Sequence, residues 1–183
     1  MDYRTIIGLS REKIRLMAKL IRKQFNIMTI ELPVLKLLET IVTKYDSVLF
    51  YDIEEDEKFE SNVPAYLATN KELTKFCIHI KESVYQGAVD GKGDCLGFIT
   101  HELCHFILLH IFGIVPENYC FDRQLEDEKI PAYKSSEWQA KAMCGELMIP
   151  YDECTGKNLS WIKENTKSST AQIEYFLDIV DKK

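Results

Sequence analysis

Between Leu96 and Leu109 nearly every position is apolar, and inside that run stand His101, Glu102 and His105. Leu96, Phe98, Ile99, Leu103, Phe106, Ile107, Leu108 and Leu109 would cover a helix on nearly every side. A helix apolar all round lies inside a protein. Titratable side chains buried there without partners are costly. The chain must therefore wrap a core helix, over about 95–111, and bring to it groups that satisfy two imidazoles and a carboxylate.

The spacing of these groups, His-Glu-x-x-His, suggests what satisfies them. At about 100° per residue, His101 and His105 lie some 40° apart and one turn along the axis. Two imidazoles so placed can reach one tetrahedral ion, with zinc the usual choice. Glu102 sits about 60° round from His105, close enough to reach a water at the ion without being a ligand. Zinc brings the pKa of such a water to about 7, so a carboxylate beside it can act as general base toward a peptide carbonyl. The alternative is a core helix carrying two hydrogen-bonded histidines.

Catalytic zinc usually takes three protein ligands. His110 faces the other side of the helix, and His79 alternates with Ile78 and Ile80 on a strand, so neither supplies the third comfortably. A carboxylate from a second helix, about 135–148, is expected instead. Glu137, Ala140, Lys141, Cys144 and Met148 share one stripe there, and small Ala140 and Cys144 would allow close approach to the core helix. Spacing favours Glu137, but Glu126, Asp127 and Glu128 also qualify. Glu146, about 180° from Glu137, would point outward.

The rest of the chain reads as a single α+β domain of 183 residues, without repeats or a Pro/Gly/Ser-rich linker. Ser10 can cap a helix over 11–25, and Pro33 can open another reaching about Lys44. Residues 47–53, 63–68 and 75–80 are short, β-branched and aromatic, and read as a small antiparallel sheet. Residues 87–93 read as a turn-rich loop, with Asp94 capping the core helix. Two helices, 159–165 and 169–180, close the chain. The expected organisation is helices over 1–45, a catalytic core over 46–150 and helices over 151–183.

Net charge is -6, which disfavours nucleic-acid binding because phosphate contacts need clustered Lys and Arg. The basic residues from Arg11 to Lys23 read as the solvated face of the first helix. Six cysteines show no compact spacing and no secretory signal precedes them, so reduced thiols in a cytoplasmic protein are expected. The run Phe106–Val115 is too short to span a membrane.

Three pieces together resemble the ImmA/IrrE family of metallo-endopeptidases. Phe98-Ile99-Thr100-His101-Glu102-Leu103-Cys104-His105-Phe106 is similar to that family's core helix. Val84-Tyr85-Gln86-Gly87-Ala88 resembles its approach strand and loop. Glu137-x-Gln139-Ala140, with Glu146-Leu147-Met148-Ile149-Pro150, resembles its second metal-site helix. The resemblance covers about residues 30–150. It implies a zincin-like fold, metal ligands at His101, His105 and Glu137, and a catalytic base at Glu102. It also implies a protein substrate, typically a helix-turn-helix repressor of a prophage or mobile element. Two features depart from the family pattern: Cys104, where glycine is usual, and the long acidic stretch between the helices. A packed, inert thiol is the expected state of Cys104. Zinc is the expected metal, with manganese also compatible with such a ligand set. The rival expectation is a regulatory protein that binds a repressor or antitoxin with the same fold and cuts nothing.

Overall fold

The structure is a computed structural model that describes residues 2–117 and 130–181, with side chains to 177. Glu126, Asp127, Glu128 and Cys120 lie outside the described residues. Eight α-helices and a three-stranded sheet are present among the described residues, an α+β arrangement.

Helix α1 (Arg11–Gln24) starts where expected, with Ser10 Oγ accepting from Lys13 N, and buries Ile14, Ala18 and Ile21. Helix α2 (Val34–Lys44) buries Val34, Leu37, Leu38 and Ile41. Strands β1 (Leu49–Glu54), β2 (Ala65–Thr69) and β3 (Phe76–Lys81) fall within two residues of the expected ones. The sheet, however, is mixed and not antiparallel. Its order is β1-β3-β2, with β1 parallel to β3 and β2 antiparallel to it. The short turn between β2 and β3 makes them a hairpin. The long β1–β2 connection lets β3 insert between strands that are neighbours in sequence. Alternating hydrophobicity reports which residues are strands, not the order in which they pair. Phe76, Ile78 and Ile80 form the buried face.

The segment expected as an approach strand and loop is instead helical: α3 spans Glu82–Val89. It buries Val84, Gly87 and Ala88, three positions on one helical face. Gly87 looked like a turn residue, yet it serves a close approach. A Cβ there would lie 2.4 Å from Cys95 Sγ on the next helix.

That next helix, α4 (Gly93–Phe106), is capped at Lys92 without a side-chain hydrogen bond, so Asp94 lies in its first turn and is not its cap. It continues as a π-helical turn, Ile107–Ile111, and the chain reverses at Gly113 with φ +67. Ile99, Leu103, Phe106 and Ile107 are fully buried. The stretch Gly93–Ile111 is long and apolar enough to cross a membrane by length and composition. Here it packs into the protein as the central helix. Contrary to the all-round apolar reading, one strip stays open, marked by Phe98 at 41 % exposure.

Helix α5 (Ser136–Met148) packs along α4. Ala140 is fully buried, and Cys144 Sγ lies 3.6 Å from Gly97 O, so the small residues do permit close approach. Helix α1 covers another side of α5. Glu146 therefore does not point to solvent: it is 4 % exposed and pairs with Arg11 at 3.3 Å and Arg15 at 3.0 Å. Arg22 Nη1 donates to Leu147 O at 2.6 Å. The arginines of α1 are thus anchors on α5, not a solvated face. A short α6 (Tyr151–Cys154), which hydrophobic spacing did not reveal, leads to α7 (Leu159–Thr166) and α8 (Thr170–Asp181).

Candidate metal centre

The centre lies where the open strip of α4 meets the first turn of α5. Several bonds fix that end of α5. Ser135 caps it by accepting from Trp138 N at 3.0 Å. The Asp2 carboxylate accepts from Ser135 Oγ, Ser136 Oγ and Glu137 N at 2.9–3.1 Å. Gln139, fully buried, donates through Nε2 to Thr5 Oγ1, Ile7 O and Tyr133 O. The N-terminal segment, which sequence patterns left unassigned, is therefore what holds Glu137 in place.

The three expected ligands come together. His101 Nε2 and His105 Nε2 are 3.2 Å apart. Glu137 reaches each of them at 3.3 Å, one through Oε2 and the other through Oε1. The ligand atoms of His101, His105 and Glu137 thus gather as a group able to hold a metal ion. Zinc–ligand bonds of about 2.0–2.1 Å in a tetrahedron separate neighbouring ligand atoms by about 3.3 Å. The imidazole separation matches that value and each imidazole stands 3.3 Å from one of the two Glu137 oxygens, so the residues fit such an ion.

The electrostatics agree. The Glu137 carboxyl is held far below the usual carboxylate range, first by its hydrogen bond with His101 and then by that with His105, against the opposing effect of burial. Its position in the first turn of α5 adds a favourable helix dipole. Glu102 behaves differently. Burial pushes its pKa up, while His101, His105 and the Leu67 N–H pull the other way. Its Oε2 accepts from Leu67 N of β2 at 2.8 Å, and its Oε1 is 4.0 Å from His101 Nε2. One oxygen is anchored on the sheet and the other faces the histidines. Such an arrangement can hold a proton near the metal group without joining it.

Tyr3 was not singled out by sequence. Its phenol is pushed up to about 12, chiefly by burial and next by the charge of Glu137. It also lines, with His105 and Ser136, a cavity of about 10 Å³. No spacing rule links residue 3 to residue 137, so no local signal could have found it.

The other histidines sit elsewhere. His110 stacks on Phe106, on the far side of α4, as spacing predicts. His79 Nδ1 lies 2.5 Å from Glu54 Oε1 and its ring stacks on Tyr66. Asp52, Glu54 and His79 form a second, more exposed cluster of potential ligands on the sheet. Tyr85 stacks on Tyr51, and Tyr133 is 53 % exposed beside Gly8. Cys104 is fully buried against Cys144, and burial pushes its thiol well up, the condition of an inert thiol.

The chain matches no protein-family model, and no curated protein is significantly similar to it in sequence.

Proposed function

We propose that this chain is a zinc-dependent endopeptidase with a zincin-like fold, in which His101, His105 and Glu137 hold the ion and Glu102 is the general base. The observation that carries the reading is the convergence of ligand atoms, with His101 Nε2 and His105 Nε2 3.2 Å apart and each 3.3 Å from one oxygen of the Glu137 carboxylate, and the largely buried Glu102 carboxylate beside them. When bound, zinc supplies Lewis-acid polarisation of a carbonyl and acidifies water. Glu102 takes a proton from the attacking water as its oxygen adds to the scissile carbonyl carbon. It then delivers that proton to the departing amine nitrogen as the C–N bond breaks. Burial favours this role, because a carboxyl with a raised pKa releases its proton less readily than an exposed one and can return it to the amine. The Leu67 N–H keeps the carboxylate from swinging away.

The ligand set also accepts manganese. By resemblance, the substrate is a helix-turn-helix repressor of a prophage or mobile element. The net charge of -6 suits a basic, DNA-binding partner and not direct contact with nucleic acid. The five cysteines among the described residues are free, in keeping with a reducing, cytoplasmic setting.

The test is Glu102→Gln. The variant should keep its metal and its partner while hydrolysis falls by about 10²-fold or more. Full derepression by a variant that no longer cuts would transfer the assignment to a non-proteolytic repressor-binding protein. Metal analysis of the purified protein should return one equivalent, lost in His101→Ala.

A further inference from the structure

The small cavity behind the metal centre has a polar wall made by Tyr3, Thr5, His105, Ser136 and Gln139. We propose that Gln139 is a positioning residue for His105: through one water held in this cavity, Gln139 Oε1 fixes the N–H at His105 Nδ1. The role rests on the metal reading above and adds to it a residue outside the ligand set.

The first observation is an unspent imidazole nitrogen. The polar contacts of the His105 ring, to His101 and to Glu137, run through Nε2. With Nε2 turned to a metal, the ring's one proton sits on Nδ1. Metal-ligating histidines almost always give that N–H to a carboxylate, a carbonyl or a water, which fixes tautomer and ring orientation. Among the described residues, none is bonded to His105 Nδ1.

The second is an unspent amide oxygen. Gln139 is 0 % exposed, and its Nε2 donates toward Thr5 Oγ1, Ile7 O and Tyr133 O. Two of these are backbone carbonyls, which only accept, so the amide cannot be turned over. Oε1 is therefore the side of the amide turned from the N-terminal segment, and it has no partner among the described residues. Buried oxygens of this kind are normally hydrogen-bonded.

The third is the cavity that both residues line. Its volume of about 10 Å³ is at the size that admits one water, and far below that of a site for an organic ligand. A water so held needs two to four polar partners. It accepts from His105 Nδ1–H and donates to Gln139 Oε1, which completes both unmade bonds at once. In a space that fits a single water, an oxygen of the wall shows almost no accessible surface, and Gln139 shows none. Leu108, Leu109 and Ile114 form the apolar remainder of the wall. One amide thus ties the N-terminal segment with its nitrogen and steadies a metal ligand with its oxygen.

Zinc affinity by chelator competition, and long-range proton–nitrogen NMR of the His105 ring, test this role. In the zinc-loaded wild-type chain the Nδ1–H should exchange slowly and show a cross-peak to a bound water. Gln139→Met, close in shape but without an acceptor, should lose that cross-peak and bind zinc about 10- to 100-fold more weakly. Gln139→Glu loses the same Nε2 bonds but keeps an oxygen for the water. It should retain the cross-peak and bind zinc more tightly than Gln139→Met. A purely structural Gln139 predicts the opposite order, because a carboxylate facing Ile7 O and Tyr133 O disrupts more than a thioether does. That order, or a wild-type Nδ1–H without a water contact, would overturn the proposal, and the wild-type spectrum decides even if a variant does not fold. Failure of the wild-type chain to take up zinc would overturn the metal reading and this role together. Zinc uptake with unchanged affinity in Gln139→Met would overturn this role alone.

Discussion

Helix α5 carries two buried or half-buried carboxylates, nine residues apart, and treats them in opposite ways. Glu146 meets Arg11 and Arg15, whose guanidinium groups are permanently charged and bind in forked geometry. Arg15 is pinned further by the Tyr151 ring, 3.4 Å beneath its central carbon. Glu137 meets His101 and His105, which are bases of moderate strength and ligands for soft and borderline metals. The first carboxylate is locked into a closed clamp of α1 on α5. The second is held ready, its partners able to exchange a hydrogen bond for a metal ion. The difference lies in the partners: arginine makes an anchor and histidine makes a site.

If that contrast is right, removing each carboxylate should damage a different property. Glu137→Gln should lower metal affinity by about 100-fold or more, since it deletes a direct ligand where loss of a mere supporting contact already costs 10- to 100-fold. Its apo form should unfold close to wild type. Chelator should lower the Tm of the wild-type protein, because the metal binds only the folded state, and leave Glu137→Gln nearly unmoved. Glu146→Gln should do the reverse. It leaves two guanidinium groups without their counter-charge, at a loss of about 2–3 kcal/mol in stability once their partial exposure is allowed for. Metal stoichiometry should stay at one. Denaturant unfolding and metal titration of the two variants, side by side, would break the comparison if both lost metal or both lost stability.

The same contrast shows which parts of the molecule sequence could report. The His-Glu-x-x-His spacing lies within one helix, so its geometry followed from helical periodicity alone, and the structure places His101 and His105 as that periodicity demands. Glu137 lies on another helix, where periodicity narrowed the choice and left Glu126, Asp127 and Glu128 open. Glu146 was misread because a helical wheel gives direction and not what waits there: α1 turned an outward face into an interior one. Gly87 was misread as a turn because a glycine needed for close approach looks the same in sequence as one needed for a reversal. The sheet's pairing order was hidden for a related reason, since β3 inserts between two sequence neighbours. What was legible is local and periodic. What was not depends on contacts that periodicity does not encode, as near in sequence as Gly87 and Cys95 and as far as Asp2 and Glu137.

That long-range tie provides the smallest and most selective test. Ser135 Oγ accepts from Trp138 N while donating to the Asp2 carboxylate, so it joins the α5 cap to the N-terminal segment. Ser135→Ala removes both bonds, and loss of such a cap costs about 1 kcal/mol. The damage falls at the Glu137 end of α5 and spares the Glu146 end, three turns away. A small drop in stability should therefore come with a several-fold weaker metal affinity, because the first turn that aims Glu137 has lost its fixings. Ser135→Asp, which restores an acceptor for Trp138 N but sets a carboxylate against Asp2, should recover less than Ser135→Thr. Equal metal affinity in all three would mean that the two imidazoles alone orient Glu137, and that the N-terminal segment stabilises the fold without serving the site.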